Sequence, residues 1–294
     1  MLASGSACAS SGSDSLPWWL WPILLFVTTF VLGVIASIAG IGGGVLFVPI
    51  VGGLFPFHLD FVRAAGLLLA LSGALAASPA MLRNGLASVR LMMPLALAGS
   101  ITSIAGAYVG LSLPASWLRI ILGIVVLGIA ALMWATRGLS HGFAGPADHW
   151  AERLGMHGKF LDHVSGEAVH WRATRTPAGI AAFAVIGFVG GLLGLGAGWA
   201  NVPALNLLMG IPVKLAIGTS SLSISVINSS AAWVYLNKGA LLPLLHVPSI
   251  LGVILGARIG ARLLQRIQPS TARNLVIGIL VVAGVRSFLQ GLTT

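Results

Sequence analysis

Gly40-Ile41-Gly42-Gly43-Gly44 with Pro49 after it, and Gly194-Leu195-Gly196-Ala197-Gly198 with Pro203 after it, are two glycine runs set 154 positions apart inside apolar sequence. A helix in lipid satisfies its own backbone. A run of glycine breaks that arrangement, so the freed N–H and C=O groups must be buried against protein or line a cavity. The chain contains the same broken helix twice. Interruptions at corresponding positions of two halves point to the substrate site of a secondary transporter.

The surrounding composition is that of a membrane protein. The 294 residues are 57% hydrophobic and 7% charged, and the mean hydropathy is +1.00. Stretches of the roughly 20 apolar residues that a span requires fall at 18–39, 64–82, 91–113, 117–136, 178–196, 215–236, 241–264 and 272–291. The shorter apolar pieces 45–55 and 199–210 follow the glycine runs. At about 1.5 Å per residue they reach half-way through a bilayer. The expected fold class is all-α: a polytopic integral membrane protein with about eight spanning helices in two homologous four-helix repeats, each with a glycine-broken or re-entrant half-helix.

Residues 137–177 hold four of the six acids (Asp148, Glu152, Asp162, Glu167), five basic residues and five of the seven histidines. This polar connecting loop separates a first transmembrane repeat, 18–136, from a second, 178–294, and a polar N-terminal tail covers 1–17. Gly33 and Ser37 match Gly187 and Gly191 at the offset of 154, and Gly106-Ala107 with Gly110 match Gly256-Ala257 with Gly260 at 150. Small residues four apart let helix backbones approach closely. The tail has no Lys or Arg, so no cleaved secretory signal is expected. Cys8 is the single cysteine, which excludes an intramolecular disulfide. With four crossings per half, both ends and the loop share one side, which the basic residues of the loop mark as cytoplasmic. With a fifth passage through the half-helix, the halves become inverted repeats. Both topologies are open at this level.

The absence of acids narrows the cargo. No Asp or Glu occurs from Phe61 to Ala147 or from Ala168 to Thr294. Carriers of protons and cations commonly keep a carboxylate inside the membrane, and only Asp60, at the edge of the second span, stands near it. An anion suits what remains, because the start of a half-helix presents N–H groups and the positive end of its dipole, and glycine lets a ligand touch them. Candidate backbone contacts are Gly40, Gly42, Gly43, Gly44, Gly194, Gly196 and Gly198, with Asn201 in the second half-helix.

The span 215–236 and the residues before it add donors, among them Thr219, Ser220, Ser221 and Ser225; Ser221, Ser225 and Asn228 recur at helical spacing. Arg63 and Lys214 stand just before the second and sixth spans, candidates for gating or anion attraction. Enzymatic readings find little support. The first run lacks the Gly-Lys-Ser/Thr ending of a phosphate loop, neither run gives GxGxxG between strand and helix, and no HExxH motif occurs. The loop histidines match no metal-ligand spacing. No cofactor is expected, and no basic run with interleaved aromatics suggests nucleic acid.

The run Gly190-Gly191-Leu192-Leu193-Gly194-Leu195-Gly196-Ala197-Gly198, then Val202-Pro203, Gly210-Ile211-Pro212, Gly218-Thr219-Ser220 and Leu255-Gly256-Ala257-Arg258-Ile259-Gly260, resembles the TauE/SafE family, also called toluene sulfonate uptake permeases. Ile38 to Gly44 with Pro49 is similar to the first repeat of that family, and His157-Gly158-Lys159-Phe160, Asp162, Gly166 and Trp171 to its polar loop. The resemblance implies a multi-pass protein of the plasma (inner) membrane that carries small sulfur-containing anions such as sulfite, sulfonates or sulfoacetate by alternating access around the two broken helices. Its partners would be that anion and the lipid bilayer, with homo-oligomerisation open. An anion channel, or an accessory membrane protein without transport activity, is the alternative. The chain departs from the family pattern at Ala197, where a glycine is usual, and carries Trp199 and Asn201 after it.

Overall fold

A computed structural model describes residues 20–39, 44–55, 57–135, 148–161, 168–263 and 269–293. The first half comprises α1 (Leu20–Ala39), the short α2 (Gly44–Leu54), α3 (Leu59–Arg83), α4 (Val89–Ser112) and α5 (Ala115–Ala135). A connecting helix, α6 (His149–Arg153), follows. The second half comprises α7 (Thr176–Leu193), the short α8 (Gly198–Pro203) continued by the π-helical turn Ala204–Leu208, α9 (Val213–Asn237), α10 (Pro243–Leu263) and α11 (Pro269–Thr293). The starts of α2, α3, α4 and α5 each lie 154 positions before those of α8, α9, α10 and α11.

The short helices take their form from their punctuation. Gly194 leaves α7 at φ 71° and Gly196 follows at φ 73°, left-handed conformations that a side chain disfavours. Proline is the sixth residue of both short helices, Pro49 and Pro203. It removes one backbone donor and crowds the preceding turn, and after Pro203 the helix continues in the wider π form.

Two boundaries differ from the sequence expectation. Helix α3 begins at Leu59 and α9 at Val213, so Arg63 and Lys214 lie inside helices rather than before them. In α3 the early start is favoured by Asp60, an acid in the first turn where the dipole prefers negative charge. The segment 137–177 is also more than a loop. It contains α6 and an antiparallel hairpin, β1 (His157–Leu161) and β2 (Ala168–Arg172), with His157 opposite Arg172 and Lys159 opposite His170. The fold is therefore helical with one small hairpin. His149, His157 and His170 belong to these elements, while His141 and His163 lie outside the described residues. Asp148 fixes the segment to the bundle: its carboxylate accepts the Ala151 N–H at 3.2 Å, capping α6, and the Thr176 N–H at 2.9 Å and hydroxyl at 2.8 Å at the start of α7.

Close contacts fix the helix directions. Gly252 and Gly256 of α10 press on Phe26 and Phe30 of α1, so these helices run parallel, as do α4 and α7, where Gly187 and Gly191 press on Gly99 and Ser103. Helices α3 and α9 are antiparallel: the Arg63 guanidinium lies 5.2 Å from the centre of the Tyr235 ring at one end, and Gly218 meets Leu86 at the other. The pair α5 and α11 is antiparallel as well, with Gly123 against Phe288 and Gly291 against Ile120. Because the short turn after Asn237 reverses the chain between α9 and α10, α3, α10 and α1 all point the same way. Helix α2 makes the return. Its far end lies level with the start of α1, where the Trp21 and Phe55 rings are 5.9 Å apart, and its first residue packs on Gly66 in the middle of α3.

The other short helix runs the opposite way. It starts beside Ala70 and Asn228, mid-way along α3 and α9, and reaches Met209, whose side chain meets Gly179 near the start of α7. The two short helices thus begin together at mid-depth and diverge to opposite faces. One face carries the α3–α4 turn, α6 and the hairpin, and is called here the loop face. The other, the far face, carries the α2–α3, α4–α5 and α9–α10 turns.

The protein is built for lipid. By length and composition α3, α4, α5 and α7 can each cross a membrane, and Leu20–Ala36, Gly44–Gly53, Pro243–Ile259 and Val276–Leu292 are shorter apolar stretches among the described residues. Met93, Leu97, Ile101 and Ile104 of α4, and Val247, Leu251, Leu255 and Ile259 of α10, form exposed apolar stripes too long for a water-soluble surface. Trp117 and Trp134, exposed at the two ends of α5, are about 26 Å apart at the helical rise, close to the thickness of a hydrocarbon core, with the rings placed as in an interfacial belt.

Candidate functional site

A cavity of about 560 Å³ opens between α1, α3, the second glycine break, α9 and α10. Small residues make the space: Gly33 and Ala36 on α1, and Ala70, Gly73, Ala74 and Ala77 on α3. A methyl group added at Gly73 would meet nothing within 4 Å. All the contributing segments belong to the loop-face half of their helices, so the cavity runs from mid-depth toward that face. Its size suits a small molecule. A groove of about 580 Å³ on α11, lined by Val281, Val282, Val285, Leu289, Arg286 and Gln290, lies on a single helix and is almost wholly apolar, and carries no comparable chemistry.

The polar groups lining the cavity are few and of one kind. Ser220 and Ser221 come from α9 and Arg258 from α10, and among the described residues no carboxylate lines the space. The Ser221 hydroxyl donates to the Ile217 carbonyl at 3.2 Å, leaving its oxygen lone pairs and rotor available. Leu195, Gly198 and Val202 bring the second break and the start of α8 to the cavity wall. A guanidinium with two hydroxyls beside a helix start attracts an anion, offers it directional donors, and gives a cation no partner.

The sequence candidates divide under this geometry. Gly198, Ser220 and Ser221 line the cavity. Gly40, Gly42 and Gly43 lie outside the described residues. Gly44, Gly194 and Gly196 stand at the break, but their missing side chains leave room for protein rather than ligand. A Cβ on Gly44 would lie 2.5 Å from the Gly66 carbonyl oxygen and 2.9 Å from that of Leu195, one on Gly194 2.5 Å from Arg63 Cα, and one on Gly196 2.8 Å from Asn228 Nδ2. The backbone of α3 comes into contact with Gly44 on one side and Gly194 on the other, which is the physical reason for those two glycines, while Gly196 is required by its left-handed backbone and by Asn228 beside it.

Thr219 is fully buried and accepts the Ser88 N–H at 3.2 Å, tying α9 to the residue whose hydroxyl caps α4. Ser225 donates to the Leu222 carbonyl at 2.7 Å, away from the cavity lining. Asn201 is fully buried and neither its Oδ1 nor its Nδ2 has a partner among the described residues; it does not line the cavity. Lys214 lies in the first turn of α9 at the loop face.

Arg63 has a different surrounding from the one expected. It is 1% exposed, pairs with Asp60 at 2.9 Å, and donates to the Gly110 carbonyl at 3.1 Å and to the Leu192 carbonyl. These carbonyls close α4 and α7, so the cation sits at the negative ends of two helix dipoles. The Tyr235 ring covers it, and the Tyr235 hydroxyl donates to Gly191 at 3.0 Å. Arg63 therefore binds four helices, α3, α4, α7 and α9, together in their far-face half.

The sequence candidates do not include Arg258, Gly73 or Ala77. The small residues of α3 recur at four-residue spacing through Gly66, Ala70 and Ala74 and through Gly73 and Ala77, and Arg258 stands inside the motif Leu255 to Gly260. Those were the available signals.

Comparisons with known proteins agree with the membrane architecture. The family model described as "Sulfite exporter TauE/SafE" matches residues 25–287. A curated relative, the "Probable membrane transporter protein YunE" of Bacillus subtilis (strain 168), is 25% identical over 278 residues, covering 92% of this chain and 98% of its own length. No solved structure matches.

Proposed function

Because the chain belongs to the sulfite exporter TauE/SafE family, a family of membrane transporters, we propose that it is a secondary carrier of small sulfur oxyanions such as sulfite, sulfonates or sulfoacetate. The observation that carries the choice of an anion is the cavity lining: among the described residues Arg258 is its one charged residue and Ser220 and Ser221 are its hydroxyls, with no acid beside them. In this reading the anion enters from the loop face, exchanges part of its hydration for these donors, and reaches Gly198 at mid-depth. Gly44, Gly194 and Gly196 give room to the protein packed against them; Asn201 lies beyond the lining. Thr219, Ser225 and Arg63 hold helices in place, and Lys214 adds positive field at the entrance.

The matching element starts support a duplication into 18–136 and 178–294, joined by 137–177. The antiparallel pairings of α3 with α9 and α5 with α11 favour inverted repeats, with eight long helices spanning. Arg83, Arg90, Arg153, Arg172, Arg175 and Lys214 gather toward the loop face, and Arg63, Arg119, Lys238 and Arg286 toward the far face. By the positive-inside rule the loop face is cytoplasmic in the plasma (inner) membrane. The cavity then faces inward, the side from which an exporter loads.

Flux of sulfite in proteoliposomes tests this. Saturable uptake that accelerates when the vesicles are preloaded with unlabelled sulfite is the expected result, because counterflow requires a carrier. Linear, non-saturating flux would indicate a channel instead. Absence of flux and of binding for sulfite, taurine, sulfoacetate and thiosulfate would overturn the proposal.

A further inference from the structure

Several residues 154 positions away from the cavity lining are packed together in a closed region. Where Gly33 faces Val253, Gly187 faces Gly99. Where Gly198 lines open space with Val202, Ser220 and Ile224, its counterpart Gly44 is packed against Gly66 and Ala70, and Gly66 in turn against Val48. Where Gly73 leaves the cavity empty, Ile227 fills the space, its Cδ1 2.6 Å from a Cβ built on Gly99, and its carbonyl accepts the Ser103 hydroxyl at 3.1 Å. The Arg63, Asp60 and Tyr235 cluster seals the same region on its outer side.

Two buried polar groups in this closed region lack partners. Asn228 is 1% exposed; its Oδ1 accepts the Ala197 N–H at 3.2 Å, while its Nδ2 donates to nothing among the described residues. Ser100 is 9% exposed and its hydroxyl is equally unpaired. Their counterparts in the open half are Ala74 and Ile254, both cavity-lining. Buried donors left without partners are uncommon and call for an occupant in some state of the protein.

Resting on the two-half reading above, we propose that this closed region is a second anion half-site, opening to the far face when the contacts of Arg63 and Tyr235 release, with Asn228 Nδ2 and the Ser100 hydroxyl as its donors. It takes the same class of small oxyanion as the open cavity. In the closed state the side chain of Ile227, packed on Gly99, fills this half-site.

The test uses full-length protein with Cys8→Ser and single cysteines at two counterpart pairs, Gly73→Cys with Ile227→Cys and Ala77→Cys with Ala231→Cys, each exposed to a membrane-impermeant thiol reagent from one face at a time. The first member of each pair should react from the loop face and the second, more slowly, from the far face. Adding Tyr235→Phe should raise the far-face rate about ten-fold, the scale of one lost buried hydrogen bond. The pair at 77 and 231 keeps the test valid if Ile227→Cys does not fold. Positions 227 and 231 unreactive from the far face even with Tyr235→Phe, or reactive from the loop face alone, would overturn the proposal. Because labelling needs no anion, this result is independent of whether sulfite is the cargo. Asn228→Asp keeps the acceptor for Ala197 and removes the free donor, so sulfite entry from the far face should fall about ten-fold; parental entry would remove Asn228 from the site.

Discussion

At the scale of single residues, Gly73, which lines the cavity, and Gly196, which is packed at the second break, answer to different physics. At Gly196 the backbone is left-handed, which costs a side chain about 1–2 kcal/mol by itself, and Asn228 Nδ2 and Ala70 Cβ occupy the space a Cβ needs. Gly196→Ala should therefore lower the melting temperature of the purified protein. Gly73 has free space beside it, so Gly73→Leu should leave the melting temperature near the parental value while reducing sulfite affinity at least ten-fold by filling the cavity. Equal affinity in Gly73→Leu would disconnect the cavity from binding.

The hydroxyls divide similarly. A hydrogen bond to a charged ligand contributes roughly 1.5–3 kcal/mol, so Ser221→Ala and Arg258→Gln should each weaken sulfite binding about ten-fold or more in titration calorimetry. Thr219→Val strands the Ser88 N–H and should lower stability by roughly 1–3 kcal/mol with affinity retained. Loss of affinity without loss of stability would return Thr219 to the ligand site.

At the scale of elements, the connection between the halves depends on one carboxylate. Asp148 caps α6 and accepts both Thr176 donors at the start of α7, and a lost cap costs about 0.5–2 kcal/mol. Asp148→Ala should expose the segment around the hairpin to limited proteolysis, and Asp148→Asn should restore part of the protection. Cleavage no faster in the alanine variant would mean that the hairpin docks through other contacts. The short helices make a related point: Pro49 and Pro203 occupy the same place in each, yet the described π turn follows only Pro203, so the two helices share their punctuation and differ in the turn that follows it.

At the scale of the whole molecule, the paired helix directions set both orientation and access. If the loop face is cytoplasmic, Lys159→Cys in a Cys8→Ser background should react with an impermeant thiol reagent in inside-out vesicles and not in right-side-out ones. The opposite pattern would invert the proposed orientation and make the cavity outward-facing. The sequence by itself determined the membrane class, the approximate positions of the long helices and of the break after α7, and the absence of acids from the spans, because hydropathy, glycine and charge act locally and are written residue by residue. It also held the hydroxyls Ser220 and Ser221 as candidates. Only the tertiary structure decided that α1 and α3 run parallel, that α3 packs its backbone against both Gly44 and Gly194, and that Arg63 is clamped by carbonyls of α4 and α7. It alone placed Gly73 and Arg258 around one space. Those facts depend on which helices meet, and helix pairing is set by the summed fit of distant small residues that no local pattern in the chain records.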